Sequence, residues 1–112
     1  MSVNLSNNNL TSIDDVIFPE GLEDLYLHEN NLISIDNVKF PEGLQILYLC
    51  NNNLTNIDKV IFPEGLKELF LHENNFTNID ENLFLNLKNL NLLFLEDKFK
   101  HSFNFLSKET EI

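Results

Sequence analysis

A segment of 22 residues recurs along this chain, and no other feature limits its fold so sharply. Leu22 to Gly43 reads LEDLYLHENNLISIDNVKFPEG, Leu44 to Gly65 reads LQILYLCNNNLTNIDKVIFPEG, and Leu66 opens a third copy, LKELFLHENNFTNIDENLFLNL. Upstream, Val3, Leu5, Asn8, Leu10, Ile13, Val16 and Phe18 fill the slots of Leu25, Leu27, Asn30, Leu32, Ile35, Val38 and Phe40. Downstream, Lys88 and Asn89 lengthen the third copy before Leu90, Leu93 and Leu95 resume the pattern. The chain therefore divides into a partial rung over 1–21, rungs over 22–43, 44–65 and 66–89, and a terminal rung with a cap over 90–112, all within one domain. A lone rung cannot fold. Its backbone ordering costs roughly 1–2 kcal/mol per residue against about 1.5–3 kcal/mol for each large apolar side chain it buries. Stacking covers both faces of every inner rung, which is why the copies must act in series.

Each copy carries the pattern LxxLxLxxN: Leu22, Leu25, Leu27 and Asn30; Leu44, Leu47, Leu49 and Asn52; Leu66, Leu69, Leu71 and Asn74. In these residues the chain resembles the leucine-rich-repeat superfamily, and the resemblance runs over nearly its whole length. The copy length is similar to the intracellular 22-residue type, Phe-Pro-Glu-Gly-Leu before each strand is similar to bacterial effector repeats, and the Asn, Ile, Lys and Phe bias is similar in style to repeat proteins of AT-rich genomes, those of amoebae and large DNA viruses. The resemblance implies an α/β-type repeat solenoid, a right-handed arc with a parallel concave sheet. The Asn of each copy is then architectural, bonding backbone groups that the turn leaves unpaired inside. Pro19, Pro41 and Pro63, each followed by Glu and Gly, resist a convex helix, so mostly extended or 3₁₀ convex segments are expected.

Strand alternation sends Leu25 and Leu27 inward and Tyr26 and His28 outward onto the concave face. Rungs about 4.8 Å apart turn equivalent outward positions into ladders. The central ladder is Asn4, Tyr26, Tyr48, Phe70 and Phe94. Its aromatic strip is the candidate protein-binding surface, with Tyr26, Tyr48 and Phe70 as the expected hot spots. On one side run Asp24, Ile46, Glu68 and Leu92; beyond the other run Glu29, Asn51, Glu73 and Asp97. An apolar strip with acidic edges calls for a partner protein that presents an apolar patch with a basic rim. Glu29 and Glu73 belong to that edge.

The next ladder, Ser6, His28, Cys50, His72 and Glu96, holds the residue types of a soft-metal site. Spacing argues against it: imidazoles two rungs apart start nearly 10 Å from each other, whereas zinc gathers its donors at roughly 2.0–2.3 Å from one point. Cys50 also lacks an evident oxyanion donor or orienting carboxylate, so no catalytic centre is expected. His28, Cys50 and His72 read instead as a polar row of the contact surface. Asp14, Asp36, Asp58 and Asp80 form an acidic ladder, but Ca²⁺ takes six to eight oxygens around one centre and each rung offers one or two, so these residues are read as solvation. No metal and no cofactor is expected.

The net charge of −11 disfavours nucleic acid and anionic membrane as partners. One cysteine, no apolar stretch long enough to span a bilayer, and a polar start over 1–9 point to a cytoplasmic protein, and the want of a catalytic centre to a non-enzymatic one. The segment Lys98 to Ile112 leaves the repeat, and Phe99, Phe103 and Leu106 are spaced to cap the last rung as one helical face. Val3 to Leu5 is expected as an exposed edge strand. Two functions follow: an interaction scaffold that binds through the aromatic strip, or a structural element that self-associates through that edge, the chain being a monomer or an edge-mediated homodimer.

Overall fold

The computed structural model describes residues 1–99. Five three-residue strands, β1 (Ser2–Asn4), β2 (Asp24–Tyr26), β3 (Ile46–Tyr48), β4 (Glu68–Phe70) and β5 (Leu92–Phe94), pair in chain order into one parallel sheet. The register advances by one repeat per strand. Val3 faces Leu25, Leu25 faces Leu47, Leu47 faces Leu69 and Leu69 faces Leu93. The expected repeat solenoid with a parallel sheet is the structure found.

The strands are short because a left-handed residue follows each of the middle three: Glu29, Asn51 and Glu73 sit at φ 57°, 57° and 56°. Such φ values are uncommon outside glycine. Hydrogen bonds along the stack hold the conformation, since the Glu29 N–H donates to Cys50 O (3.2 Å) and the Asn51 N–H to His72 O (3.1 Å). The left-handed step swings the chain inward and places the following Asn inside.

Asn52 shows what that placement achieves. Its Nδ2 donates to Leu27 O (3.0 Å) and Leu49 O (3.1 Å), and its Oδ1 accepts from the Leu32 N–H (3.0 Å). Asn30 and Asn74 repeat the pattern one rung either way. Each side chain thus ties its own strand end to the preceding rung. The ladder changes chemistry where Lys98 replaces the next Asn. There the Oε1 of Glu96 accepts from the Asn74 N–H (3.2 Å), and the Lys98 Nζ donates to Phe76 O (3.0 Å). In earlier rungs the carbonyl equivalent to Phe76 O receives a backbone N–H, as Leu54 O does from Asn75 (2.9 Å).

The return segments are turns. The N–H groups of Val16, Val38 and Val60 donate to the carbonyls of Ile13, Ile35 and Ile57, and those of Leu44 and Leu66 to Pro41 and Pro63. Among the described residues there is no α-helix. One 3₁₀ helix, Glu81–Phe84, occupies the longer fourth rung, where Pro-Glu-Gly is missing; Asp80 caps it by accepting from the Asn82 N–H (3.0 Å). Of the three glycines only Gly21 uses positive φ (81°). The conformational freedom that Gly brings to these turns is therefore needed at one rung, the first.

The leucines at both inward strand positions of the three full copies are completely buried. A second column, Phe40, Phe62 and Phe84, stacks down the return side with centroids 6.4 and 6.5 Å apart. One repeat slot does not carry its burial along the chain. Val16 occupies the slot of Val38 yet is 41% exposed against 7%, because no preceding rung covers it. Phe99 is buried as the last residue of a short 3₁₀ turn over 97–99, while Phe103 and Leu106 of the expected cap lie outside the described residues.

Candidate functional site

The outward face of the sheet carries the aromatic ladder as one continuous stack. In register, Asn4 faces Tyr26, Tyr26 faces Tyr48, Tyr48 faces Phe70 and Phe70 faces Phe94. Ring centroids are 4.7 Å apart for Tyr26 and Tyr48, 4.4 Å for Tyr48 and Phe70, and 5.7 Å for Phe70 and Phe94, with interplanar angles of 13°, 2° and 18°. The cause is the backbone repeat: strand spacing close to ring-stacking distance, with one shared side-chain direction, leaves the rings face to face. Stacking half-buries Tyr26, Tyr48 and Phe70, whereas Phe94 remains 47% exposed. The inner rings, Tyr48 and Phe70, therefore show solvent their edges rather than their faces.

The imidazole row leans against this stack. His28 lies 6.2 Å from Tyr26 and 5.8 Å from Tyr48, and His72 lies 6.4 Å from Phe70 and 5.2 Å from Phe94, tilted or edge-on in every case. The Nδ1 atoms of both histidines and the Oε2 of Glu96 are buried without a hydrogen-bond partner among the described residues. Cys50 is buried between the two imidazoles. Among the described residues no group of three or more His, Cys, Asp or Glu converges to hold a metal ion. Ile46 completes the half-buried row of Asp24 and Glu68 on the opposite side of the stack.

Two electrostatic consequences follow. Tyr48 holds its phenolic proton more tightly than usual, first because it is desolvated, then because Tyr26, Glu68 and Asp24 add negative charge around it. Burial likewise pushes the Cys50 thiol up, with Glu29 adding to the effect and the backbone hydrogen bond opposing it. Thiolate is the reactive form, so iodoacetamide at pH 8 is expected to alkylate Cys50 at least about tenfold more slowly in the folded chain than in urea. Equal rates would mean that the stack does not shield it.

Glu29 and Glu73, expected at the edge, are exposed at the left-handed corners just beyond the strands. Asp14, Asp36, Asp58 and Asp80 are exposed on the far side of the rungs and shape turns there; the Asp36 N–H, for example, donates to Ser34 Oγ (3.2 Å). Sequence reasoning missed Glu96 as a backbone acceptor. Its signal was the loss of Asn at position 98, which leaves the Asn74 N–H needing another oxygen. It also missed Ile17 and Ile61, apolar side chains that stand 94% and 85% exposed on the return side.

No helix among the described residues is long and apolar enough to cross a membrane. A search of curated proteins finds no match. A family model described as leucine rich repeat matches residues 42–97, half of the chain. That match spans the Asn52 and Asn74 ladder and three of the five stacked strands, so repeat, register and the inward asparagine ladder agree, and the chain belongs to the leucine-rich-repeat family.

Proposed function

We propose that the protein is a non-catalytic interaction module that binds a partner protein across the aromatic strip. The observation that carries this reading is the stack of Tyr26, Tyr48, Phe70 and Phe94 on the outward face of the sheet, a contiguous apolar row that no part of the described chain covers. Apolar surface of this kind marks interaction sites, and aromatic anchors carry much of an interface's energy. Asp24 and Glu68 on one side and Glu29 and Glu73 on the other fit a partner whose apolar patch is rimmed by Lys or Arg.

The test is affinity capture from a lysate of the source organism with wild type, Tyr48→Ser and Phe94→Ser in parallel, followed by calorimetry on the purified partner. Tyr48 stacks on two rings and Phe94 on one. Each lost aromatic pair costs about 0.5–1.5 kcal/mol, so Phe94→Ser reads binding with the smaller effect on folding. Affinity should fall about thirtyfold, or roughly 2 kcal/mol, in Tyr48→Ser. Folded variants that keep wild-type affinity would place the interface elsewhere, with the outer edge of β1 and the Ile17 and Ile61 side as the surfaces to examine.

A further inference from the structure

The aromatic stack is closed on its inner rings and ends in two outer rings, Phe94 on a strand with Leu92 and Tyr26 on a strand with Asp24. Tyr26 rests one ring face on Tyr48 at 4.7 Å. On its other face the in-register neighbour is Asn4, not a ring. Asn4 does not rise along that face: its Oδ1 is turned back within its own rung, accepting from the Ser6 hydroxyl (2.6 Å) and the Ser6 N–H (3.0 Å). The whole outward row of the first rung, Ser2, Asn4 and Ser6, is small and polar, and the row of the second, Asp24, Tyr26 and His28, stands above it. The two rows form a step, with a ring face as its riser and a carboxylate beside it.

We propose that this step is a slot for a guanidinium group, an arginine side chain of the partner laid flat on the open face of Tyr26 over Asn4. The inference rests on the reading of the strip as a protein-binding surface and names the chemistry of the residue that docks at its end.

Three properties of the site select this occupant. A planar group continues a stack whose members already lie 4.4–4.7 Å apart and nearly parallel, whereas an ammonium has no plane to offer. A cation is favoured over a neutral ring because Asp24 shares the step; among the described residues no salt bridge engages Asp24, the Met1 amine pairing instead with Glu23 at 3.3 Å. A guanidinium stacked on Tyr26 still presents N–H donors at its edge, which is the geometry a neighbouring carboxylate accepts.

The probes are N-acetyl-arginine methylamide, its neutral planar counterpart with citrulline, and its non-planar cationic counterpart with lysine, each titrated into the full chain while ring proton shifts are followed by NMR. The arginine compound should move the Tyr26 ring signals saturably and bind about fivefold or more tighter than either counterpart. Asp24→Asn should weaken it severalfold. Asn4→Phe places a ring in the slot and extends the existing stack, so it should abolish the arginine response while the Tyr48 and Phe70 ring signals keep their folded dispersion. Equal shifts from citrulline or lysine, or a response that survives in Asn4→Phe, would overturn the proposal. The two readings separate cleanly. Loss of partner binding in Tyr48→Ser with no arginine response at Tyr26 removes the slot alone, whereas an arginine response that behaves as stated beside unchanged partner affinity in the strip variants removes the strip reading alone.

Discussion

Asn52→Ala is expected to destabilise the protein by about 3 kcal/mol or more, while Asn8→Ala, in the same repeat slot, costs under about 1 kcal/mol. Asn52 is buried, and its amide serves the Leu27 and Leu49 carbonyls and the Leu32 N–H at once. Removing it strands these groups where water does not reach, and each orphaned buried group costs roughly 1–3 kcal/mol. Asn8 is exposed, and its Nδ2 donates to Leu5 O and Ser6 O, both 3.1 Å away, within a rung that solvent reaches. Against a total stability of about 5–15 kcal/mol for a domain this size, the difference is easily resolved by urea titration. Similar midpoints for the two variants would show that the amide ladder does not carry the turn.

Phe84→Ala should cost about 3–5 kcal/mol, and Phe18→Ala much less. The two share a column but not an environment. Phe84 is 1% exposed, stacked on Phe62 inside the array, whereas Phe18 is half-buried at the first rung. The cost of a large-to-small change follows the dispersion attraction forfeited and the size of the cavity left behind, so it should rise along the column from Phe18 through Phe40 and Phe62 to Phe84. Thermal or urea unfolding of the four alanine variants checks the order. A flat series would mean that the column is not part of the cooperative core.

These contrasts also mark what the sequence could convey. The strand register and the inward leucines were legible because both follow from a constant period and from alternation, and Leu25, Leu47 and Leu69 stand where that logic puts them. The aromatic ladder was legible as a column but not as a stack, since ring planes depend on rotamers shared between neighbours. Burial at Val16 was not legible from its slot, because a slot defines direction, while coverage depends on the neighbouring rungs. The left-handed turn at Glu29 carries no local signature, for glutamate has no preference for that region; the hydrogen bond to the adjoining rung at Cys50 O holds it. Glu96 acquires its bond only because a residue two places on has changed, a relation visible once the two are seen in space.

The exchange of Asn for Glu96 and Lys98 governs how such an array can grow. A tandem duplication of Leu44 to Gly65 inserted at its own boundary would give the new copy an Asn on either side, and every amide in it would find the same carbonyls that Asn52 finds now. A copy joined after Glu96 and Lys98 would meet a carboxylate and an ammonium already committed to Asn74 and Phe76, with neither able to serve it in the way a carboxamide does. Lengthening from the interior is thus nearly neutral, and lengthening past this junction requires several substitutions at once. Gene duplication acting on this chain would accordingly leave its most divergent copies beside the Glu96 and Lys98 junction, and the copy that runs into it, Leu66 to Leu87, keeps fewer of the residues of Leu44 to Gly65 than either earlier copy does.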